Sequence, residues 1–361
     1  MELRISAPLL ASMGPLIFIL WVVLGLVGAT ARGNSAEVSI LGSGSSFIYP
    51  QMSIWIPKFT EKYPWVTLNY NPTGSGTGQK QFFSKLVDFA ASDPPLTRDV
   101  WLRYRGQVLQ MPVVLGAVVI TYNLPVEGQL RLDGRVLAKI YRGEVRYWDD
   151  PLMRELNPGM KLPHKEIIAV HRSDSSGTTN IFTFFLHKAS PQDWPLDLVG
   201  KSVEWPVDSR GNGVGAKGNQ GVTQVIMNTP YSLGYVELSY ALENDLPMAS
   251  VRNAEGNFVS PSPQSVTEAA KNAFPLLPRS PLDDFSLDLD AVVYAPGEGS
   301  YPLTSFVHLI FWTRYGEKAE AIREFVRFVN TEGQELVAEG YAPIPPELRS
   351  VNLKAVGLIK P

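Results

Sequence analysis

Cysteine is absent from the 361 residues, so the chain has no disulfide, no thiolate metal ligand and no cysteine to acylate. Histidine is scarce. His164, His171, His187 and His308 are the four present, and they show neither H-E-x-x-H nor a similar metal-ligand spacing. The G-x-S-x-G turn that carries a hydrolase nucleophile is missing, as is a phosphate loop of the G-x-x-x-x-G-K-[ST] type. Gly211–Gly218 imitates the second, but Ala216 rather than glycine precedes Lys217, and the stretch reads as a structural loop. His171 beside Arg172 reads as flanking a strand end, because no positioned nucleophile with an orienting acid accompanies it. No enzyme, metal or cofactor is therefore predicted. An excess of basic charge is missing too: with a net charge of -3, no polyanion-binding surface and no nucleic-acid partner are expected.

What the chain does have is apolar substance. Hydrophobic residues make up 45% against 19% charged, enough to bury a sizeable core in two lobes. From Ile5 to Ala31 there is no charge, and the dense run Leu16–Val27 is followed by the small residues Ala29, Thr30 and Ala31. Residues 1–36 therefore read as an export signal peptide or as a retained membrane anchor. Either way the rest of the chain is expected outside the cytoplasmic membrane.

Strand, Gly/Ser turn and amphipathic helix recur three times. Val38–Leu41 reads as a strand, Gly42–Phe47 as a turn, and Met52, Trp55, Ile56 and Phe59 as one buried helix face. Val66, Leu68 and Tyr70 alternate with polar residues as a strand, Gly74–Gly78 follows as a turn, and Phe82, Phe83 and Leu86 mark a second helix. Ile167–Val170 leads through Arg172–Thr179 to a helix containing Ile181, Phe184 and Phe185. Each turn places small residues at a helix start, where main-chain N–H groups lack carbonyl partners and the helix dipole is positive. Arg172 adds a fixed charge, and Asp93 follows the short strand Val87–Ser92, at the carboxyl end where open α/β sheets present ligand groups. The three turns together describe an anion cradle. Elsewhere Val113–Tyr122, Ala291–Tyr294 and Thr304–Trp312 read as strands, Gln220–Met227 as a short helix, Ile322, Phe325, Val326 and Val329 as a helix face, and Gly340–Pro346 as a stiff tail over the surface.

Six stretches in order carry a resemblance: Gly42–Phe47, Asn71–Gln81, Val87–Asp93, Arg172–Thr178, Gly218–Gly221 and Gly234–Glu237. The chain resembles the phosphate-binding proteins of high-affinity phosphate ABC transporters, from about Val38 to the Gly340–Pro345 tail. The resemblance implies an α/β, two-lobed periplasmic-binding-protein fold of type II with the ligand in the cleft between lobes. Residues 38–118 with 297–361 are expected to form one lobe and 119–296 the other. It further implies that Ser46, the Phe47 amide, Ser75, Ser176, Gly177 and Thr178 donate to phosphate. Arg172 would contact the anion directly, oriented by Asp174, and Asp93 would accept the ligand's own proton. Ser46 stands where threonine is common in the family, and Ser175 where glycine is usual. Inorganic phosphate and the permease subunits of an ABC importer are the implied partners, the chain itself being a monomer. Another tetrahedral oxyanion such as sulfate or molybdate, or an exported adhesin or phosphatase-like protein, remains the alternative.

Overall fold

The computed structural model describes residues 37–271 and 273–361; the segment read as signal peptide or anchor lies outside them. Its spine is one strand, β4 (Val108–Tyr122), in which all fifteen residues are buried. A mostly apolar run, interrupted here by Gln110 and Thr121, is what a strand covered on both faces requires. Along Val108–Ala117 it pairs antiparallel with β11 (Thr304–Trp312), and along Val118–Tyr122 with β8 (Ser232–Glu237). Beyond β11 lie β3 (Phe89–Ser92), β1 (Val38–Gly44) and β2 (Val66–Asn71); beyond β8 lie β6 (Ile168–Arg172) and β7 (Gly213–Ala216). One mixed sheet thus has two halves that share β4. A small separate sheet contains β5 (Arg131–Leu132), β9 (Ser250–Arg252) and β10 (Phe258–Val259).

Periodicity explains the covering helices. Valine, leucine and tyrosine at positions 66, 68 and 70 of β2 point inward while Thr67, Asn69 and Asn71 face solvent. Helix α1 (Tyr49–Lys62) buries Met52, Trp55 and Phe59 on one face, and Trp55 Nε1 donates to the Gly333 carbonyl at 2.8 Å. Helix α6 (Ala319–Asn330) buries Ile322, Phe325, Val326 and Val329, with Phe325 edge-on to Phe59. Between them α2 (Ser75–Phe83), α3 (Gly177–Ala189) and α4 (Gly218–Asn228) each start directly after a turn at the sheet's rim, and α5 (Asp288–Val292) precedes the return to β11.

Four expectations need correction. Helix α2 ends at Phe83, the chain reverses through Lys85 at φ 56°, and Leu86 is 66% exposed rather than on a buried helix face. Ala291 and Val292 belong to α5, not to a strand: Asp288 and Asp290 occupy its first turn, where carboxylates complement the dipole. Within Gly211–Gly218, residues 213–216 form the outer strand β7, parallel to β6; the strand is glycine-rich because Asp208 packs on it, a Cβ on Gly213 falling 1.9 Å from Asp208 Oδ1. The tail does not lie over the surface. Tyr341, Ala342 and Ile344 are buried, and β12 (Ala342–Pro343) pairs with Leu115 and Val114 of β4. Gln334 secures it, accepting from the Ile344 N–H at 3.0 Å and donating to the Val113 carbonyl at 2.9 Å.

Candidate functional site: an anion cradle between two walls

All three Gly/Ser turns leave the carboxyl ends of parallel strands. β1 runs parallel to β2 and β3, and β6 runs parallel to β7 and β8. Gly44 pairs with Ala91, and the Ser45 N–H donates to the Ala91 carbonyl at 2.9 Å, which sets the first turn beside Asp93. Gly44 adopts φ 133°, and a Cβ there would lie 2.2 Å from that same carbonyl oxygen, so only glycine permits this strand contact. Gly74, at φ 92°, turns the chain from β2 into α2 and accepts the Gly78 N–H.

The two walls touch. The Gly76 N–H donates across the cleft to the Ser175 carbonyl at 3.0 Å, and the Tyr240 hydroxyl donates to the Ser46 carbonyl at 2.6 Å. Asn219, first turn of α4, donates to Ser46 Oγ from its amide at 3.1 Å and from Nδ2 at 3.0 Å, and from Nδ2 to Thr178 Oγ1 at 3.2 Å. Its Oδ1 in turn accepts the Glu237 N–H at 3.0 Å. Asn219 therefore ties the first turn to the third, and because it fills the acceptor side of Ser46, the serine's own proton is left to point elsewhere.

Asp93 is buried at the centre. Ser45 Oγ donates to its Oδ1 and Ser75 Oγ to its Oδ2, the latter at 3.3 Å. Burial pushes its carboxyl up to about 6, although the Ser45 bond, the Arg172 charge and the Ser75 bond all work against that rise. Behind it His308 Nδ1 approaches the Asp93 carbonyl at 3.1 Å while its Nε2 meets the buried Asp288. Arg172 forms a two-point contact with Asp174, Nε to Oδ1 at 2.7 Å and Nη2 to Oδ2 at 2.6 Å, and its Nη1 donates to Thr178 Oγ1 at 3.3 Å. This pair is no surface salt bridge, since the two side chains are 1% and 11% exposed. Burial raises the Asp174 carboxyl, but the guanidinium and the Gly218 amide outweigh it and hold the group below its usual range.

Ser176 caps α3, its Oγ accepting the Thr179 N–H at 3.0 Å. With that amide satisfied, the first-turn donors left are Gly177 and Thr178. Among the described residues no acceptor bonds the main-chain N–H of Ser46, Phe47, Ser75, Gly177 or Thr178. Buried amides are nearly always paired, and five unpaired ones in three adjoining turns form a ready anion site. Ser46, Phe47, Ser75, Asp93, Arg172, Ser176, Gly177 and Thr178, with Asp174, are thus brought together from both walls. Sequence reading missed Ser45, which lies inside the first turn, and Asn219, which lies inside the Gly218–Gly221 stretch; the helix-start position of Asn219 was the available signal. His171 is occupied elsewhere, its Nε2 at 2.7 Å from Asp208 Oδ1 and its ring stacked on Trp205.

Residues 29–332 match the domain model described as a PBP superfamily domain. The phosphate-binding protein PstS of Methanocaldococcus jannaschii is 39% identical over 362 residues, covering 94% of this chain and 92% of that protein. The phosphate-binding protein PstS of Haemophilus influenzae is 38% identical over 319 residues, covering 86% and 90%. Among solved structures, a high-affinity periplasmic phosphate-binding protein bound with phosphate superposes with a TM-score of 0.68 at 23% identity, covering 87% of this chain and 92% of that one. The phosphate-binding protein of Stenotrophomonas maltophilia gives 0.60 at 20% identity, covering 88% and 93%. The fold is therefore the two-lobed one of periplasmic binding proteins, and the chain belongs to the family of phosphate-binding proteins.

Proposed function

We propose that this chain captures inorganic phosphate outside the cytoplasm and hands it to the permease of an ABC-type importer. It acts as a binding protein and not as an enzyme, in keeping with the relatives it matches. The observation that carries the ligand is Asp93: a buried acceptor set among hydroxyls and unpaired amides that are all donors. Such a site suits a tetrahedral anion that itself keeps a proton. Monohydrogen and dihydrogen phosphate donate that proton to the carboxylate, whereas sulfate has none and meets an ionised Asp93 with repulsion. Sites built around one required hydrogen bond reject an analogue lacking it by ~10⁴ or more.

In this reading Ser46, the Phe47 amide, Ser75, Ser176, Gly177 and Thr178 donate to the ligand, and Arg172, oriented by Asp174, contacts it directly. Residues 38–118 with 297–361 form one lobe and 119–296 the other. The change of partner along β4, from β11 to β8 after Ala117, supports a boundary near residue 118. The protein acts as a monomer in the periplasm or on the outer face of the membrane, exported by residues 1–36 as a signal peptide or tethered by them as an anchor.

The test is isothermal titration of protein stripped of bound anion, at pH 7, with phosphate, sulfate and molybdate. One-to-one phosphate binding without sulfate heat supports the reading. Heat from sulfate or molybdate overturns the choice of ligand, and silence from all three overturns the function.

A further inference from the structure

Asp93 is followed by two prolines, Pro94 and Pro95, and neither carries an N–H. The turn that presents the acceptor therefore lacks two of the main-chain donors that would secure a strand end. Side chains from other elements take over. Gln79 Nε2 of α2 donates to Ser92 Oγ at 2.8 Å, and that hydroxyl donates to the Pro94 carbonyl at 2.6 Å. Gln110 of β4 accepts the Leu96 N–H through Oε1 at 2.8 Å. The Asp93 carbonyl is left to β11. At this end the β3–β11 ladder stops at the pair Ser92–His308, and the His308 side chain, rather than a strand amide, reaches the next carbonyl, with Nδ1 3.1 Å from the Asp93 oxygen.

A carbonyl oxygen only accepts, so Nδ1 must carry the proton in this contact. The other ring nitrogen faces a carboxylate: Nε2 bonds Asp288 Oδ2, both side chains are buried, and Asp288 Oδ1 has no partner among the described residues. The ring thus stands between two acceptors. Asp288 fixes its plane and opposes the flip that would turn a carbon toward Asp93, because the bond at one ring nitrogen sets the role of the other. The place of this turn matters at the cleft. A Cβ on Gly177 would lie 2.3 Å from Asp93 Oδ2 and 2.7 Å from Pro94 Cδ, so residues 93 and 94 both abut the wall that bears the unpaired Gly177 and Thr178 amides. A displaced turn either strikes that wall or carries the carboxylate away from the ligand's proton.

We propose that His308, held by Asp288, is a positioning residue for phosphate recognition: its Nδ1–H secures the main chain of Asp93 and so sets the place of the carboxylate that tells phosphate from sulfate. This rests on the phosphate reading above. The ring acts through Asp93, whose carbonyl it holds, and its effect falls on discrimination between anions more than on the fold.

Two changes separate the ring's contacts. In His308→Asn the amide nitrogen takes the place of Nδ1 and keeps the bond to Asp93, whereas in His308→Gln it reaches the place of Nε2 and keeps the bond to Asp288. Phosphate titration and sulfate competition at pH 7 give the phosphate-over-sulfate ratio of each. His308→Gln is expected to lower that ratio about tenfold or more, and His308→Asn to recover most of the loss. A role confined to the buried pair with Asp288 predicts the reverse order, so a ratio kept by His308→Gln, or lost equally in both, overturns the proposal. Should His308→Gln fail to fold, Asp288→Leu carries the test: it frees the ring and must lower the ratio, and an unchanged ratio overturns the proposal equally. Nitrogen NMR of the histidine rings in the unmodified protein is expected to show a proton on His308 Nδ1, and a bare Nδ1 overturns the proposal as well. Absence of phosphate binding in the unmodified protein would overturn the phosphate reading itself, whereas phosphate binding with a ratio indifferent to His308 overturns this inference alone.

Discussion

Gly177 faces Asp93 across the cleft so closely that a Cβ on the glycine would lie 2.3 Å from the carboxylate Oδ2 and 2.4 Å from Ser75 Oγ. The backbone of α3 thus approaches the acceptor as near as a main chain can. Gly177→Ala is predicted to hold the walls apart and weaken phosphate binding about ten- to a hundredfold, because neither contacting atom is the end of a long flexible chain. Stability should change little, alanine being a good residue at a helix start. Titration and small-angle scattering check this; normal affinity with normal compaction on phosphate addition would show that the approach is not tight in solution.

Asp93 should make sulfate rejection depend on pH. Its folded carboxyl titrates near 6, so below that value the group carries a proton and donates to sulfate, while above it the carboxylate repels. Sulfate competition against phosphate is expected to emerge as pH falls from 7 to 5 and to be present at both values in Asp93→Asn. A flat sulfate profile in the unmodified protein would count against the assignment.

The same shift predicts a stability effect. The carboxyl's value rises from 3.8 to about 6 on folding, so between those values the folded chain binds more protons than the unfolded one and stability falls as pH rises. The cost approaches about 3 kcal/mol once pH exceeds 6. In ligand-free protein, Asp93→Asn should gain in melting temperature relative to the unmodified chain as pH climbs from 4 to 6. A difference that stays constant over this window would refute the buried, raised carboxyl.

Arg172→Lys keeps the charge and loses the fork. Two bonds to Asp174 and one to Thr178 depend on the planar guanidinium, and a lysine cannot make them together. Phosphate affinity is expected to drop about ten- to a hundredfold and stability by about 1–3 kcal/mol, because Asp174 is left partly unpaired. Calorimetry of binding and of unfolding measures both, and a variant indistinguishable from the parent would remove Arg172 from its role.

Glu237 is buried with its Oε1 unpartnered among the described residues, while its Oε2 accepts the Ser239 N–H at 2.9 Å and lies 3.0 Å from the Tyr341 hydroxyl. That hydroxyl has one proton and stands 2.5 Å from the Phe47 carbonyl. If the proton goes to the carbonyl, the carboxyl must bring its own. Burial indeed pushes Glu237 well above its usual range of 4.5, with Ser239 and Tyr341 opposing. Folding then takes up a proton, so this group costs stability as pH rises above 4.5. Glu237→Gln, a neutral isostere, should fold at pH 7 and become the more stable protein as pH increases. Thermal unfolding across pH 5–9 decides, and a Glu237→Gln protein that loses ground with rising pH would contradict a protonated acid.

How far the chain could be read in advance depended on the range of each interaction. The alternation in β2 and the faces of α1 and α6 are periodic and local, so Val66, Trp55 and Phe325 declared themselves. The three turns were visible because a helix start after small residues is a local signal. Asn219 escaped because its partner Ser46 is 173 positions away. The tail was misjudged for a similar reason: prolines argued for the surface, whereas Tyr341 is held by Phe47 and Ala342 and Pro343 by β4, both remote in sequence, with the nearer Gln334 securing Ile344. At Ala291–Tyr294 an apolar run too short to show a period was settled by the acidic residues before it.

Because β4 is buried from end to end and serves both halves of the sheet, neither half is a detachable module. Severing the chain inside Val108–Tyr122 would strip each half of an inner strand, so the two should melt in one cooperative transition despite the cleft between them. Amide protons along β4 should also be the slowest in the molecule to exchange, with no break at residue 118. The proposed lobe boundary near residue 118 is thus a place where the strand changes partner, not one where it is interrupted, and a closing motion there would be spread as twist along β4.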